Sequence, residues 1–379
     1  MIGGGEGAFI GAVHRLAARM DNQAELVCAS FSRDHENTVR TGIGLGLNIS
    51  RLYSSYDEMF SVEAALPEDE RMQFVVIVTP NHLHVPVAIA ALKQGFHVLC
   101  DKPAALNYAE TVELQNTITE TGLLYGLTHT YLGYPMVRQA KHLVETGTIG
   151  KIRRIIVEYP QGWLSSAEET AESKQAEWRT NPATSGIAGC LLDIGTHAST
   201  LAEYISGQTI IEVCADVSAV VPNRNLDDDA SVLFRTSNGT RGTLIASQIC
   251  AGEENGLKIR IYGEDGGLEW HQLSPNSLKI MRQGQPISIQ RAGAENTYLC
   301  DDARTSCRTP SGHPECYLEA FANTYQDFIR NAHSWPTKAV GYDRISINTG
   351  AGAMAFVEAA VANSKSEIKW TAVERPCQQ

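Results

Sequence analysis

No stretch of this 379-residue chain approaches the roughly 20 consecutive apolar residues needed to cross a bilayer, and no signal peptide is visible. Positive charge is in short supply. The 31 Lys and Arg stand against 43 Asp and Glu, a net charge of -12, which argues against nucleic acid or an anionic membrane as partner. Low-complexity tracts and internal repeats are missing. The nine cysteines are an odd number without a disulfide-scaffold spacing, and Cys28, Cys100, Cys190, Cys214 and Cys250 sit in apolar segments. Reduced thiols in a cytoplasmic protein are therefore expected. Without a secretory route, the glycosylation triplets at Asn48 and Asn238 carry no meaning. Cys300, Cys307, His313 and Cys316 cluster, but not at zinc-ligand spacing, so no metal is expected. The length allows two domains with separate cores.

Phe96-His-Val-Leu-Cys-Asp101-Lys102-Pro103 is the stretch that organises the rest. An apolar run after Gly95 reads as a buried parallel strand and ends in two charges and a proline. In an open α/β sheet, ligands sit beyond the carboxyl ends of strands. A lysine there, restricted by the proline, is held in one place, although a plain polar turn reads equally well from these residues alone. The chain opens Met1-Ile-Gly3-Gly-Gly5-Glu-Gly-Ala8-Phe9-Ile10-Gly11. Gly3, Gly5 and Ala8 fit the G-x-G-x-x-G/A turn: the first for the bend, the second for the approach of a pyrophosphate, the third for close helix packing. The helix beginning near Phe9 and Ile10 would offer its N–H groups to the phosphates. A full strand should precede this turn, and only Met1 and Ile2 do. Either that strand is nearly absent or the start lies inside the native gene, and the second is the expectation.

Glu25–Phe31 reads as the second strand. Its end carries Ser32 and Arg33 where an NAD site carries an acid, so a 2′-phosphate and NADP are favoured over NAD. The adjacent Asp34 keeps a ribose contact open, and Arg33 also reads as a solvated loop charge. A helix-like stretch to about Gly46, a third strand near Leu52, a strand at Phe74–Thr79, a helix at Val85–Lys93 and another at about Tyr108–Thr121 complete a right-handed βαβ rhythm that ends at Leu123–His129. Thr79, Pro80, Asn81 and His84 fall at a strand end beside the presumed cofactor, with Asp101 and Lys102 at the next. His84 reads equally as a helix cap.

After Gly150 the rhythm changes. Seven strands between Ile152 and Met281, joined by short Gly, Asn or Asp turns, read as one large antiparallel sheet. Helices are expected at Pro314–Ala332 and Asn348–Ser364. The fold class is thus an N-terminal Rossmann-type parallel sheet (residues 1–131) followed by an α+β domain on a large, mostly antiparallel open sheet (132–379). That sheet is expected to join a homodimer or homotetramer. Between its first two strands, Asp193 and His197 stand four apart, on one helix face. A carboxylate beside an imidazole tunes a general base, yet such a pair also serves structure, and metal binding has no third ligand nearby. Tyr131, Trp163, Trp178 and Arg179, together with His129, would suit a ring bearing several hydroxyls, although each aromatic reads equally as core. The polar insertion Ser165–Lys174 reads as a solvated loop in preference to a lid.

Four motifs in order (Gly3–Ala8, Thr79-Pro-Asn-His-Leu-His84, Asp101-Lys102-Pro103 and Asp193-x-x-x-His197) resemble the glucose–fructose oxidoreductase, inositol dehydrogenase and rhizopine-catabolism (Gfo/Idh/MocA) family over essentially the whole chain. That family usually has Glu where Asp101 stands. The resemblance implies an NAD(P)-dependent oxidoreductase acting on a small-molecule sugar, cyclic polyol or derivative. It further implies that Lys102, Asp193 and His197 form the catalytic group around a nicotinamide stacked between the domains. Two other functions are compatible with parts of the pattern: an NAD-dependent glycoside hydrolase, and a non-catalytic dinucleotide-binding sensor, against which the retained Lys102, Asp193 and His197 speak.

Overall fold

Phe74–Val78, almost wholly buried, is the centre of the first sheet. A run of β-branched residues with no polar alternation has to be covered on both faces, which only a parallel sheet flanked by helices provides. The computed structural model describes residues 1–166 and 185–375. Its first compact unit is Met1–His129 with Phe321–Gly350, and its second is Thr130–Ala320 with Ala351–Gln379.

In the first unit, β1 (Ile2–Gly3), α1 (Phe9–Met20), α2 (His35–Gly44), α3 (Tyr56–Ala64), β2 (Phe74–Val78), α4 (His84–Lys93), β3 (His97–Cys100), α5 (Tyr108–Thr121) and β4 (Tyr125–Leu127) follow in order. The four strands pair in parallel as β1-β2-β3-β4. The strand ahead of the glycines is two residues long and pairs with Ile77 and Val78. The expected second and third strands are a correction. Only single bridges form, Ile2 to Ser30 and Ala29 to Leu52, because the pairing beyond those residues is not continued into a ladder. The bridges still extend the order to 52, 29–30, β1, β2, β3, β4, the arrangement that puts a ligand crevice beside β1. Val75, Ile77, Val98, Cys100 and Leu127 are completely buried. α5 starts on a reciprocal cap. Asn107 accepts from the Glu110 N–H at 2.9 Å and the Glu110 carboxylate accepts from the Leu106 N–H at 2.9 Å, and Gly122 closes the helix at φ 64°.

The second unit opens with α6 (Pro135–Glu145) and β5 (Ile152–Pro160). A π-helical turn at Leu191–Gly195 leads into α7 (Thr196–Ser206), and then come β6 (Ile210–Ser218), β7 (Asp229–Thr236), β8 (Arg241–Ser247), β9 (Lys258–Gly263), β10 (Gly266–His271), β11 (Ser277–Arg282) and β12 (Ser288–Arg291). Two long helices follow: α8 (Tyr317–Ser334), most of which belongs to the first unit, and α9 (Ile347–Ser364), most of which belongs to the second and precedes a final β13 (Thr371–Ala372). The nine strands order as β12-β11-β10-β9-β5-β8-β7-β6-β13. All neighbours are antiparallel except β5 and β8, whose parallel register ends at Pro160 opposite Ser247. That pair is parallel because the chain leaves β5 through the π turn and α7, and returns beside it only after β6 and β7. Alternation decides the faces: Ala230, Val232 and Phe234 are buried while Leu233 between them is 46% exposed. Gly242 lies under the Phe234 ring, where any Cβ would collide.

Candidate active site

The glycine turn bends through the left-handed region at Gly3, Gly4 and Gly7, with φ of 77°, 74° and 87°, which favours residues without a Cβ. A Cβ on Gly3 would lie 2.7 Å from the Val78 carbonyl oxygen and one on Gly5 2.5 Å from Asn37 Oδ1, whereas one on Gly7 would meet nothing within 4 Å. The packing role expected of Ala8 is a correction. Ala8 is the exposed residue that starts α1, and the helix approaches the strand at Gly11, where a Cβ would sit 2.4 Å from Gly4 Cα. The helix begins at Phe9, just past Ala8, and turns Gly11, three positions beyond Ala8, onto Gly4. No side chain caps α1 and its first turn has no acid. Its leading N–H groups and positive dipole end are therefore unopposed, as a pyrophosphate requires. Arg15 Nη1 braces the turn by donating to the Gly4 carbonyl at 2.6 Å. Phe9 is 63% exposed and Ile10 half-buried beside it. An NAD-type dinucleotide fits these residues.

Beyond Ser30, the Ser32 hydroxyl accepts from the Asp34 N–H at 3.1 Å, and Asp34 caps α2 by accepting from the Glu36 N–H at 3.0 Å. Arg33 is exposed.

The carboxyl ends of β2 and β3 are tied together by His84. Its Nδ1 lies 2.7 Å from the Pro103 carbonyl and its Nε2 2.9 Å from the Thr79 carbonyl. Burial lowers its pKa, opposed by those carbonyls and by Asp101. Asn81, also buried, starts the short 3-10 turn after Pro80. Asp101 points inward: its Oδ1 accepts from the Lys102 N–H at 2.9 Å and from the Thr128 hydroxyl at 2.8 Å, with His14 Nε2 at 3.7 Å. Burial by itself would raise the Asp101 pKa. The His14 imidazole, Lys102 and His84 outweigh it, and the carboxyl is held far below the usual range. Lys102 is therefore presented by a backbone locked to an anchored carboxylate. His129 is buried, and among the described residues neither ring nitrogen has a hydrogen-bond partner. Burial first, then the Lys102 charge, pushes its pKa down to about 4, so it is neutral at pH 7.

In the second unit, Asp193 lies in the π turn and His197 in the first turn of α7. The single regular helix expected there is a correction. Asp227 pins the N–H groups of Gly189 and Leu191 at 2.5 and 2.8 Å, and Gly195 leaves the Leu191 side chain room under a wider turn; such turns recur at functional sites. His197 is buried edge-on against the Tyr131 ring, 4.8 Å between centroids and 81° between planes. Asp193 accepts from Gln248 Nε2 at 2.9 Å. Gln248 also donates to Gln161 at 3.2 Å, and Trp163 donates to the same oxygen at 2.9 Å. Gln161 donates onward to Asn255 at 2.8 Å, and Asn255 to the Tyr131 hydroxyl at 3.2 Å. Asp193, His197, Tyr131 and Trp163 are thus gathered on one network. Trp178, Arg179 and most of Ser165–Lys174 lie outside the described residues. No motif announces Gln161, Gln248, Asn255 or Thr128. His14 had a signal, an imidazole in the apolar stripe of α1 with Gly11, Val13 and Ala17, all buried.

The description "Oxidoreductase family, NAD-binding Rossmann fold" matches residues 1–129, and "GFO/IDH/MocA C-terminal domain" matches residues 137–269. An uncharacterized oxidoreductase of Bacillus subtilis, YfiI, is 34% identical over 331 residues, 86% of this chain and 83% of the relative. The chain belongs to the Gfo/Idh/MocA oxidoreductase family. It is an oxidoreductase with an NAD-binding domain. Among its family relatives, levoglucosan dehydrogenase of Pseudarthrobacter phenanthrenivorans is 28% identical over 56% of this chain and 59% of its own length. The crystal structure of an inositol dehydrogenase homolog complexed with NAD+ from Azotobacter vinelandii superposes with a TM-score of 0.92 at 30% identity, covering 98% of this chain and 96% of that one. The structure of an oxidoreductase from Sinorhizobium meliloti gives 0.86 at 40% identity, covering 98% of each chain. No helix among the described residues is long and apolar enough to cross a membrane.

Proposed function

We propose that this protein transfers hydride between a nicotinamide dinucleotide and a secondary alcohol of a sugar, cyclic polyol or derivative, with Lys102, Asp193 and His197 as its catalytic residues. The observation that carries this is the buried His197–Asp193 segment set in a network of amide, indole and phenol groups, a surface matched to a ring with many hydroxyls. The inositol dehydrogenase homolog has also been solved with NADH and myo-inositol, at 29% identity and a TM-score of 0.89, which supports the same substrate class. His197 takes the hydroxyl proton. Asp193 orients that imidazole or holds a neighbouring hydroxyl. The Lys102 ammonium donates to the reacting oxygen and stabilises the charge that develops there. A bound nicotinamide supplies the hydride acceptor. Gly3, Gly5, Ala8, Phe9, Ile10, Ser32, Arg33, Thr79, Pro80, Asn81, His84, Asp101 and Lys102 are assigned to the cofactor side. His129, Tyr131, Trp163, Trp178 and Arg179 are assigned to the substrate. Residues 1–131 serve as the nucleotide domain and 132–379 as the substrate and oligomerisation domain.

The test is a panel of polyols and sugars scored by reduced-nicotinamide absorbance with each cofactor. Reduction with at least one polyol is the expected result. Turnover of a glycoside without net reduction would replace this function by glycoside hydrolysis, and cofactor binding without any turnover would replace it by a sensor.

NADP is proposed as the favoured cofactor, although the Azotobacter homolog carries NAD. Asp34 is engaged in the α2 cap and Arg33 stands exposed at the same strand end. Loss of a charge-assisted contact of about 1.5–3 kcal/mol means that Arg33→Ala should raise the NADP Kd by about tenfold or more and leave that for NAD nearly unchanged. Equal weakening of both would reverse the cofactor preference.

A homodimer or homotetramer through the second sheet is proposed from its outward residues Ile211, Leu233 and Ile245, which are 41%, 46% and 37% exposed. A solution mass of a single subunit at micromolar concentration would overturn it.

A further inference from the structure

The network around Asp193 has a direction, and one residue sets it. An indole N–H only donates. The Trp163 Nε1–H, 2.9 Å from Gln161 Oε1, therefore requires the carbonyl end of that amide. The NH2 end of Gln161 is turned to Asn255 Oδ1 at 2.8 Å. Asn255 in turn offers its NH2 to Tyr131 at 3.2 Å, and the Tyr159 hydroxyl donates to Asn255 Oδ1 at 2.6 Å. With that proton given away, Tyr159 accepts from the Tyr131 hydroxyl it touches, so Tyr131, Tyr159 and Asn255 close a ring in which each hydrogen has one acceptor. On the other side, Gln161 Oε1 demands a donor from Gln248, which presents its NH2 to Gln161 at 3.2 Å and to Asp193 Oδ2 at 2.9 Å. The backbone holds both glutamines where the parallel β5–β8 pair ends. The Gln161 N–H donates to the Ser247 carbonyl at 2.8 Å, the Cys250 N–H to the Gln161 carbonyl at 2.9 Å, and the Leu164 N–H to the Gln248 carbonyl at 3.0 Å. Neither amide side chain is placed by chance.

We infer that Trp163, acting through Gln161, fixes Gln248 as a donor to Asp193, and that Trp163 and Gln248 are positioning residues that hold the Asp193 carboxylate ionised and oriented. The role of Asp193 in turnover rests on the reaction proposed above, whereas the direction of the network does not. Were Gln248 to turn over, its carbonyl would face the carboxylate oxygen, an arrangement tolerated only if Asp193 carried a proton. Trp163 thereby acquires a function in addition to the substrate contact assigned to it above, which Trp163→Phe preserves through its remaining ring.

Other groups around Asp193 among the described residues form a constant background. The phenols of Tyr131 and Tyr159 feel its charge and His197 follows it on α7. Arg224, Asp227 and Asp228 line the same cavity, with Arg224 and Asp228 ion-paired at 2.9 Å. The variants below change none of them.

The test uses the full chain with 13Cγ-labelled aspartate, the Asp193 signal being identified by its loss in Asp193→Asn. Trp163→Phe removes the indole N–H with its five-membered ring while keeping an aromatic ring, and Gln248→Met removes the donor at similar volume. Both are expected to raise the Asp193 titration midpoint by about one unit, since a donor to the charged form is lost. The acidic limb of kcat/KM should move by the same amount, with kcat down about tenfold and KM nearly unchanged. An Asp193 midpoint that stays put in either variant overturns the inference. Shifted midpoints in a protein that reduces no cofactor with any polyol would sink the proposed reaction and leave the network assignment standing.

Discussion

His197→Asn is expected to lower kcat by about 10³-fold, the middle of the range for losing a positioned general base, while the Kd for the dinucleotide should stay within about twofold of wild type. Asparagine is the informative replacement because it keeps a polar group and part of the volume yet cannot take a proton near pH 7. His197 is buried and packed edge-on against Tyr131 at 4.8 Å, so an alanine would also open a void and confound a catalytic loss with a packing loss. A base that must be unprotonated to act produces an activity rise with pH. The variant should lose that rise as well as the rate. Turnover within tenfold of wild type, with the pH profile unaltered, would remove His197 from the catalytic group.

Sequence carries this far because the two halves of the pattern are local. Asp101-Lys102-Pro103 follows a buried strand, and strand ends are where an α/β sheet offers its ligands; β3 does end at Cys100. The strands of the second sheet were legible for the same reason. Alternation as in β7, with Val232 and Phe234 in and Leu233 out, is a property of consecutive residues. What sequence could not carry is long-range. Gln161 and Gln248 are 87 positions apart, and their side chains meet only because β5 and β8 pair in parallel after two intervening strands. Thr128 reaches Asp101 across 27 positions, from the neighbouring strand. Phe321–Gly350 joins the first compact unit although nearly 200 residues of the other precede it, and local periodicity is silent on such returns. The bridges at Ala29, Ser30 and Leu52 failed in the other direction. Their composition is strand-like, yet propensity yields to how much ladder the neighbours provide. Ala8 shows the same limit inside a motif. Its spacing fits the packing position, but that duty falls three residues later, on Gly11.

Lys102→Met is the complementary case, with an expected fall in kcat of about 10²–10³, the scale for removing one donor to a developing oxyanion. Methionine preserves the length and apolar stem and deletes only the ammonium. The loop that presents it is held by groups the substitution leaves in place. Asp101 accepts the residue-102 backbone N–H at 2.9 Å, Thr128 anchors that carboxylate at 2.8 Å, and His84 meets the Pro103 carbonyl at 2.7 Å. The fold should therefore survive, and the dinucleotide should still bind at the glycine turn. Arginine is not a conservative substitute here, because a planar fork cannot place one donor where the compact ammonium does, and Lys102→Arg should remain at least about tenfold slow. A readout independent of turnover comes from His129. Its pKa is pushed down to about 4 by burial and, next, by the Lys102 charge. Deleting that charge removes one lowering cause, so the His129 titration followed by NMR should move up in Lys102→Met and stay low in Lys102→Arg. A Lys102→Met enzyme that turns over at the wild-type rate would strip the lysine of its proposed role. A His129 titration that ignores the substitution would instead show that the ammonium does not lie beside that ring.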